Sequence, residues 1–293
     1  MIRTDYNTLA IENSRLLAAL AAESAELQRF HSDMEVARTM QERIFPTARP
    51  SVPGLDYFGD WRPARGVSGD YIDYFEMNEG NLGFAIGDVC GKGLPAALLT
   101  SSLHSMIRAL RFVRHSSLEV LIRTIDKLFC EICPDNCYAT LFLSEYDPAS
   151  GQLRYVNAGH EPPFILRKTG GHCQTVFLES GGPVIGMLRE ASYREGAVTL
   201  SPGDVLVAYT DGLCETTNPS GEQWGWPRFL DTVRESADRR ARDIVEGVMQ
   251  SAEAFAGEAP QYGDVTLWVG RVQDAAVHQP LWMAQCVAEP VAA

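Results

Sequence analysis

Four aspartates carry the chemistry this sequence could do. Asp70 lies in VSGDYIDYF, Asp88 in FAIGDVCGKG, Asp211 in VLVAYTDG and Asp264 in QYGDVTLWV. Each stands at the end of an apolar or Gly-rich run. Runs of Val, Ile, Tyr and Phe read as strands, so these carboxylates fall at strand ends beside turns. Carboxylates far apart in sequence can meet at one end of a sheet structure. Their charges then repel unless a cation neutralises them, and hard oxygen donors favour Mg²⁺ or Mn²⁺. Such a site suits metal-activated water and a phosphate substrate. The competing reading of any one of them is local, because Asp in a turn satisfies its own backbone. Asp211, followed by Gly212, is the plainest case, and spacing alone leaves both readings open.

Other motifs are weaker. GKG at 91–93 resembles part of a phosphate-binding loop, but the full G-x4-G-K-[ST] pattern is absent. Gly87 and Gly91 flank Asp88, where glycine permits close backbone approach to an ion or simply serves a turn. Cys130, Cys133 and Cys137 form a C-x2-C-x3-C cluster that Cys90, Cys173 or His104 could complete as a zinc site. The competing reading is thiols packed as small core residues at the end of an apolar helix.

Composition narrows the classes. The chain has 293 residues, 45% of them hydrophobic, which suits one large domain or a domain with an appendage. Net charge is −13 and the sequence pI about 4.9, so nucleic acid is not expected as a partner. Seven cysteines give no disulfide framework. No apolar run approaches the roughly 20 residues that span a bilayer. MIRTDYNTLAIENS has no signal-peptide core, so no membrane association and a cytoplasmic location are expected.

The elements that must position the aspartates follow from periodicity. Residues 9–45 read as one long helix. Leu9, Leu16, Phe30, Ala37 and Ile44 share one heptad position, and Leu20, Leu27 and Met34 the other, interrupted by Asn13, Glu23 and Gln41. That pattern predicts a coiled-coil seam and a parallel homodimer through residues 9–45; the alternative is a helix packed on its own domain. Pro46, Pro50 and Pro53 end it. Strands are predicted at 55–62, 70–77 and 82–88. A helix then opens at GKGLP with Pro95 in its first turn and runs to about Phe112. The next helix starts at SSLEV, with Ser116 and Glu119 at capping-box spacing, and ends near Cys133. A hairpin turns at DPASG. Further strands are predicted near 163–167, 174–178, 193–200 and 204–210, helices near 226–236 and 240–255, and a last strand from Asp264 to Val272. Strands in runs with helices in separate pairs predict an α+β fold, two antiparallel sheets packed together with helices outside. The tail 274–293 has no clear period, and Leu281, Trp282 and Met283 form a possible contact patch in it.

With these motifs in order (GVSGDYIDYF, GDVCGKGLPAALL, YVNAGHEPPFIL, LSPGDVLVAYTDGLCE and DVTLWV), the chain resembles the metal-dependent serine/threonine protein phosphatases of the PPM family, bacterial SpoIIE/RsbU type, over about residues 36–273. TLAIENSRLLA resembles the last helix of a GAF sensor domain. The resemblance implies a helical linker at 1–45, a phosphatase domain at 46–273 and a C-terminal tail at 274–293. It implies a β-sandwich flanked by helices, with two Mn²⁺ or Mg²⁺ ions at one end and a bridging water that attacks phosphoserine or phosphothreonine. Asp88 resembles the bridging ligand, the Val89 carbonyl a main-chain ligand, Asp70 a carboxylate acting on the second ion and Asp211 a ligand of the first. Arg65, five residues before Asp70, resembles a phosphate-binding arginine; a surface ion pair is the alternative. His160 in NAGHEP is expected in a structural hydrogen bond rather than as a general acid.

One departure matters. The family's last motif is Asp-Asp or Asp-Asn before an apolar residue and Thr, and the first of the pair is the ligand. Here that place is Gly263, and Asp264 alone remains: either Asp264 shifts to serve as the metal ligand, or the first metal site lacks one carboxylate. The expected substrate is a phosphorylated STAS-type anti-sigma antagonist in a partner-switching pathway. The alternative is a weak or inactive pseudo-phosphatase acting as a dimeric scaffold.

Overall fold

The computed structural model describes residues 2–46, 49–77, 80–111, 117–170 and 172–273, with side chains from residue 8 onward. In chain order the elements are α1 (Ile2–Glu42), β1 (Leu55–Arg62), β2 (Asp70–Glu76), β3 (Leu82–Val89), α2 (Leu94–Leu110), α3 (Leu118–Ile132), β4 (Ala139–Asp147), β5 (Gln152–Ala158), β6 (Phe164–Thr169), β7 (His172–Phe177), β8 (Gly181–Gly182), β9 (Gly196–Thr199), β10 (Val205–Tyr209), α4 (Asp211–Cys214), α5 (Gly225–Ser236), α6 (Ala241–Ala256) and β11 (Val265–Val272).

Two sheets form. One runs β1-β11-β10-β6-β7; the other runs β2-β3-β4-β5-β8, with β9 also paired to β5. Pairing is antiparallel except for the short β5–β8 contact, which is parallel. Ile72, Phe84 and Phe142 of one sheet meet Ile165, Leu206 and Trp268 of the other in a shared core. Trp268 stacks on Phe84 at 4.1 Å between ring centroids. Tyr71, Ala85 and Leu141 face the opposite way, onto Leu103 of α2 and Ile122 of α3. Val207 and Leu267 likewise face Phe229 of α5 and Val248 of α6. The result is a helix–sheet–sheet–helix sandwich, the α+β class that the element pattern predicts. Strands covered on both faces lose polar alternation, and β10, VLVAY, is buried throughout.

Local signals placed most elements within a few residues. The cap of α3 differs: Ser117 Oγ accepts the Val120 amide at 3.3 Å, one residue after the expected Ser116. Ser116, Phe112, Cys286 and the tail 274–293 with Leu281, Trp282 and Met283 lie outside the described residues. Two short elements, β8 and α4, have no sequence signal, because two to four residues carry no period. Among the described residues no helix is long and apolar enough to cross a membrane.

The long helix divides in a way the heptad pattern does not reveal. Leu9, Leu16, Leu20, Leu27 and Phe30 are each more than half exposed. From Met34 onward the same stripe turns inward. Met34 and Ala37 are half-buried, and Gln41 is buried. The Gln41 side chain donates to the Ser68 carbonyl at 2.7 Å and accepts the Ser68 amide at 2.8 Å. Phe45 stacks on Trp61 at 4.4 Å. The polar residue that interrupts the seam is therefore the clamp joining this helix to the loop before Asp70.

Candidate functional site

Asp70 opens β2 and Asp88 nearly closes β3, and the two are register partners across the antiparallel pair. Residues directly opposite on adjacent strands share a face, so the two carboxyls face one another. Asp70 is buried, and its Oδ2 accepts hydrogen bonds from Thr210 Oγ1 at 2.8 Å and Thr266 Oγ1 at 2.6 Å. Thr210 Oγ1 in turn accepts the Thr266 amide at 2.9 Å. The second sheet thus reaches across the sandwich to orient Asp70. Sequence reasoning overlooked both threonines, although each sits two residues or fewer from an aspartate already singled out.

The electrostatics follow from this crowding. Burial, then the charges of Asp88 and Asp264, hold the Asp70 carboxyl well above the usual carboxylate range, against the two threonine hydrogen bonds. Burial, then Asp211 and Asp264, push Asp88 up to about 7. Lys92 and a hydrogen bond with Asp70 oppose that shift. The Lys92 ammonium donates to the Tyr262 carbonyl at 2.6 Å, so it is held near the cluster. Glu161 is also raised, by burial first and then by Asp211 and Glu215.

Asp211 is exposed at the start of α4 rather than in an open turn. Gly212 locks that short helix against the last strand: a β-carbon there would fall 2.1 Å from the Asp264 carbonyl oxygen. Asp264 has a different task. Its Oδ1 accepts the Ala64 amide and its Oδ2 the Gly69 amide, both at 2.6 Å. It fastens the loop from β1 to β2, which carries Arg65. Arg65 is exposed in that loop, bridged to Val67, and makes no ion pair among the described residues. Val89 is buried beside Gly69, its carbonyl 3.1 Å from where a Gly69 β-carbon would stand. Gly263 has neither a left-handed φ nor a crowded environment; an added β-carbon would meet Gly212 Cα at 3.4 Å. A side chain fits there.

His160 is buried. Its Nδ1 lies 2.9 Å from Thr140 Oγ1, which accepts the Asp88 amide at 3.1 Å. Burial lowers the imidazole pKa to about 4, so it is neutral near pH 7 and braces the Asp88 backbone.

Oxygen donors in this cluster fit a hard divalent ion in kind, since the carboxylates lack a matching positive charge. The cluster is not a closed cage: among the described residues no three His, Cys, Asp or Glu side chains stand ready to hold an ion. The same holds for the thiols. Cys90, Cys133 and Cys137 do lie near one another, and burial and neighbouring thiols raise Cys133 to about 11. Cys173 is exposed on β7, in the other sheet. Zinc is the lesser of the two readings of these thiols, and among the described residues no set of them stands ready to hold an ion.

The family model described as Stage II sporulation protein E (SpoIIE) matches residues 78–273. Protein IcfG of Synechocystis sp. is 28% identical over 261 residues, covering 80% of this chain and 40% of that protein. Phosphoserine phosphatase RsbU of Bacillus subtilis is 28% identical over 226 residues, covering 76% of this chain and 65% of RsbU. This chain thus spans less than two thirds of these relatives. The SiaA-PP2C domain of Pseudomonas aeruginosa superposes with a TM-score of 0.72 at 23% identity, over 84% of this chain and 98% of that one. The catalytic domain of PstP, solved with two manganese ions, superposes with a TM-score of 0.54 at 14% identity, over 75% of this chain and 99% of that one. No GAF domain is among these matches. With the helix-flanked sandwich and the matched stretch in agreement, the chain belongs to the SpoIIE family and carries its PP2C-type phosphatase fold.

Proposed function

We propose that this chain is a divalent-metal-dependent protein-serine/threonine phosphatase acting on a small phosphorylated STAS-type protein in partner switching. The observation that carries this reading is the cross-strand pair Asp70–Asp88, with the charges of Asp211 and Asp264 bearing on the same point. Mn²⁺ or Mg²⁺, when bound, would lower the pKa of water and offset charge on the phosphoryl group. Asp88, Asp70, Asp211 and the Val89 carbonyl are the ligands in this reading. Thr210 and Thr266 hold Asp70 in one rotamer. Arg65 offers a planar fork to the phosphate oxygens from the loop that Asp264 anchors. His160, neutral and hydrogen-bonded, donates no proton to the leaving group.

A second reading, a pseudo-phosphatase scaffold, has one specific observation behind it. Gly263 supplies no carboxylate, and Asp264 spends both oxygens on backbone amides. Hydrolysis of p-nitrophenyl phosphate and of a phosphoserine STAS protein with Mn²⁺ separates the two. Turnover of both supports the phosphatase; its absence in wild type and in Gly263→Asp alike supports the scaffold. Gly263→Asp is expected to fold normally and to lower the half-saturating Mn²⁺ concentration about tenfold, because affinity follows the number of charged ligands. An unchanged Mn²⁺ dependence would mean that Asp264 or water already serves that position.

The exposed half of α1 is the basis of a further expectation. An uncovered stripe of Leu16, Leu20, Leu27 and Phe30 on an isolated helix needs a partner, and we assign it a second copy of the chain. Sedimentation at micromolar concentration should give a dimer, and Leu20→Glu with Leu27→Glu a monomer with the same melting profile for the sandwich. A wild-type monomer would remove the assignment.

A further inference from the structure

We infer that the cavity between the end of α1 and the end of α2 is a binding site for the phosphate groups of a small phosphorylated molecule. It holds about 610 Å³ and is lined by Arg43, Arg49, Arg108, Arg111, His104 and Tyr74, among others. That volume lies in the range of small-molecule sites. Its walls come from the segment after α1, from β2 and from the end of α2.

Charge gives the class of ligand. Four guanidiniums line it, and among the described residues the acids beside them are Glu76 in the wall and Asp73 beneath. The surplus is positive, in a chain whose net charge is −13. Asp73 is wholly buried and takes the Arg108 fork through two hydrogen bonds of 2.5 Å, with Tyr71 donating to it at 3.1 Å. Arg108 is thereby fixed in place. Arg49 is also positioned: it donates to the Tyr57 carbonyl at 3.1 Å and lies 5.0 Å from the Phe58 ring centroid. Arg111 lies 5.6 Å from the Phe75 ring centroid. Burial and then the like charge of Arg108 hold it below the usual range for arginine, against the charges of Asp73 and Glu76. Burial lowers His104 too, which leaves the arginines as the source of charge near pH 7. Arg43 is exposed, and its side chain has no hydrogen bond or ion pair among the described residues. Guanidinium forks match phosphate oxygens bidentately, which a carbonyl or hydroxyl ligand would not use.

Calorimetric titration of the full chain tests this, run in EDTA so that the aspartate cluster holds no metal to recruit phosphate. Sodium pyrophosphate, ADP and sodium sulfate are the probes, at about 150 mM salt, where non-specific attraction is screened. One-site binding of pyrophosphate or ADP is expected, with sulfate markedly weaker. Arg43→Gln should weaken it about tenfold, the loss of one charged hydrogen bond. Arg234→Gln, on α5, should leave it unchanged. Arg43 is exposed, so the melting temperature of Arg43→Gln is expected to match wild type and keep the comparison valid. No binding at millimolar pyrophosphate or ADP overturns the inference. So does sulfate bound as tightly as pyrophosphate, or equal weakening by Arg234→Gln.

Discussion

Replacing Asp88 with alanine should abolish phosphatase turnover, a loss of about a thousandfold or more, while leaving the sandwich folded. Several kcal/mol of charge stabilisation at the reacting phosphoryl group pass through this one position, and each 1.4 kcal/mol is about tenfold in rate. The fold should not suffer, because the Asp88 carboxyl opposes it in the metal-free protein. Burial and the charges of Asp211 and Asp264 push it up to about 7. The hydrogen bond from the Asp88 amide to the Thr140 hydroxyl remains in the variant. The measurement is the Mn²⁺-dependent hydrolysis of p-nitrophenyl phosphate beside a thermal melt in EDTA. Turnover that survives Asp88→Ala with the same Mn²⁺ dependence would rule out this aspartate as the centre of the site.

The second large effect is on stability against pH in EDTA. Asp88 stands near 7 in the folded chain against an ordinary 3.8. Between those values the folded protein keeps a proton that the unfolded chain has released. Protons bound preferentially by the folded state make stability fall as pH rises. The contribution is therefore fully present below about pH 4 and is lost as pH climbs through about 7. Three pKa units correspond to about 4 kcal/mol as an upper bound. Asp70 is shifted in the same direction and shares a hydrogen bond with Asp88, so the two titrate as a pair. Denaturant melts at pH 5.5, 6.5 and 7.5 should show stability declining across this window in EDTA. Asp88→Asn should flatten the decline, and saturating Mn²⁺ should oppose it by favouring the ionised pair. Equal slopes for wild type and Asp88→Asn would show that these carboxyls do not govern the pH response.

Periodicity and short motifs made much of this protein legible. The apolar runs that follow Asp70 and that lead to Asp88 and Asp211 are strands because β-branched and aromatic side chains fit a pleat covered on both faces, and the aspartates fall at or just beyond the strand ends. Pro95 marks the first turn of α2, and the separation of strand runs from helix pairs gives the layered class. These are local properties, fixed by residues a few positions apart. Contacts between residues far apart in sequence were not legible. Asp70 is held by threonines 140 and 196 positions away, and their partnership depends on how two sheets are stacked. Asp264 reads as a strand-end ligand, yet the fold spends it on amides 200 and 195 positions away. The heptad stripe of α1 reads as one seam from Leu9 to Ile44. Docking of Gln41 on Ser68 divides it, because a stripe records only that a face is to be covered. What covers it is set by the shape and unmet hydrogen bonds of whatever the fold brings alongside. The arginine-lined cavity has the same origin: Arg43, Arg49, Arg108 and Arg111 sit on segments that sequence spacing does not relate, and only the packing of α2 against β2 and the end of α1 brings their charges together.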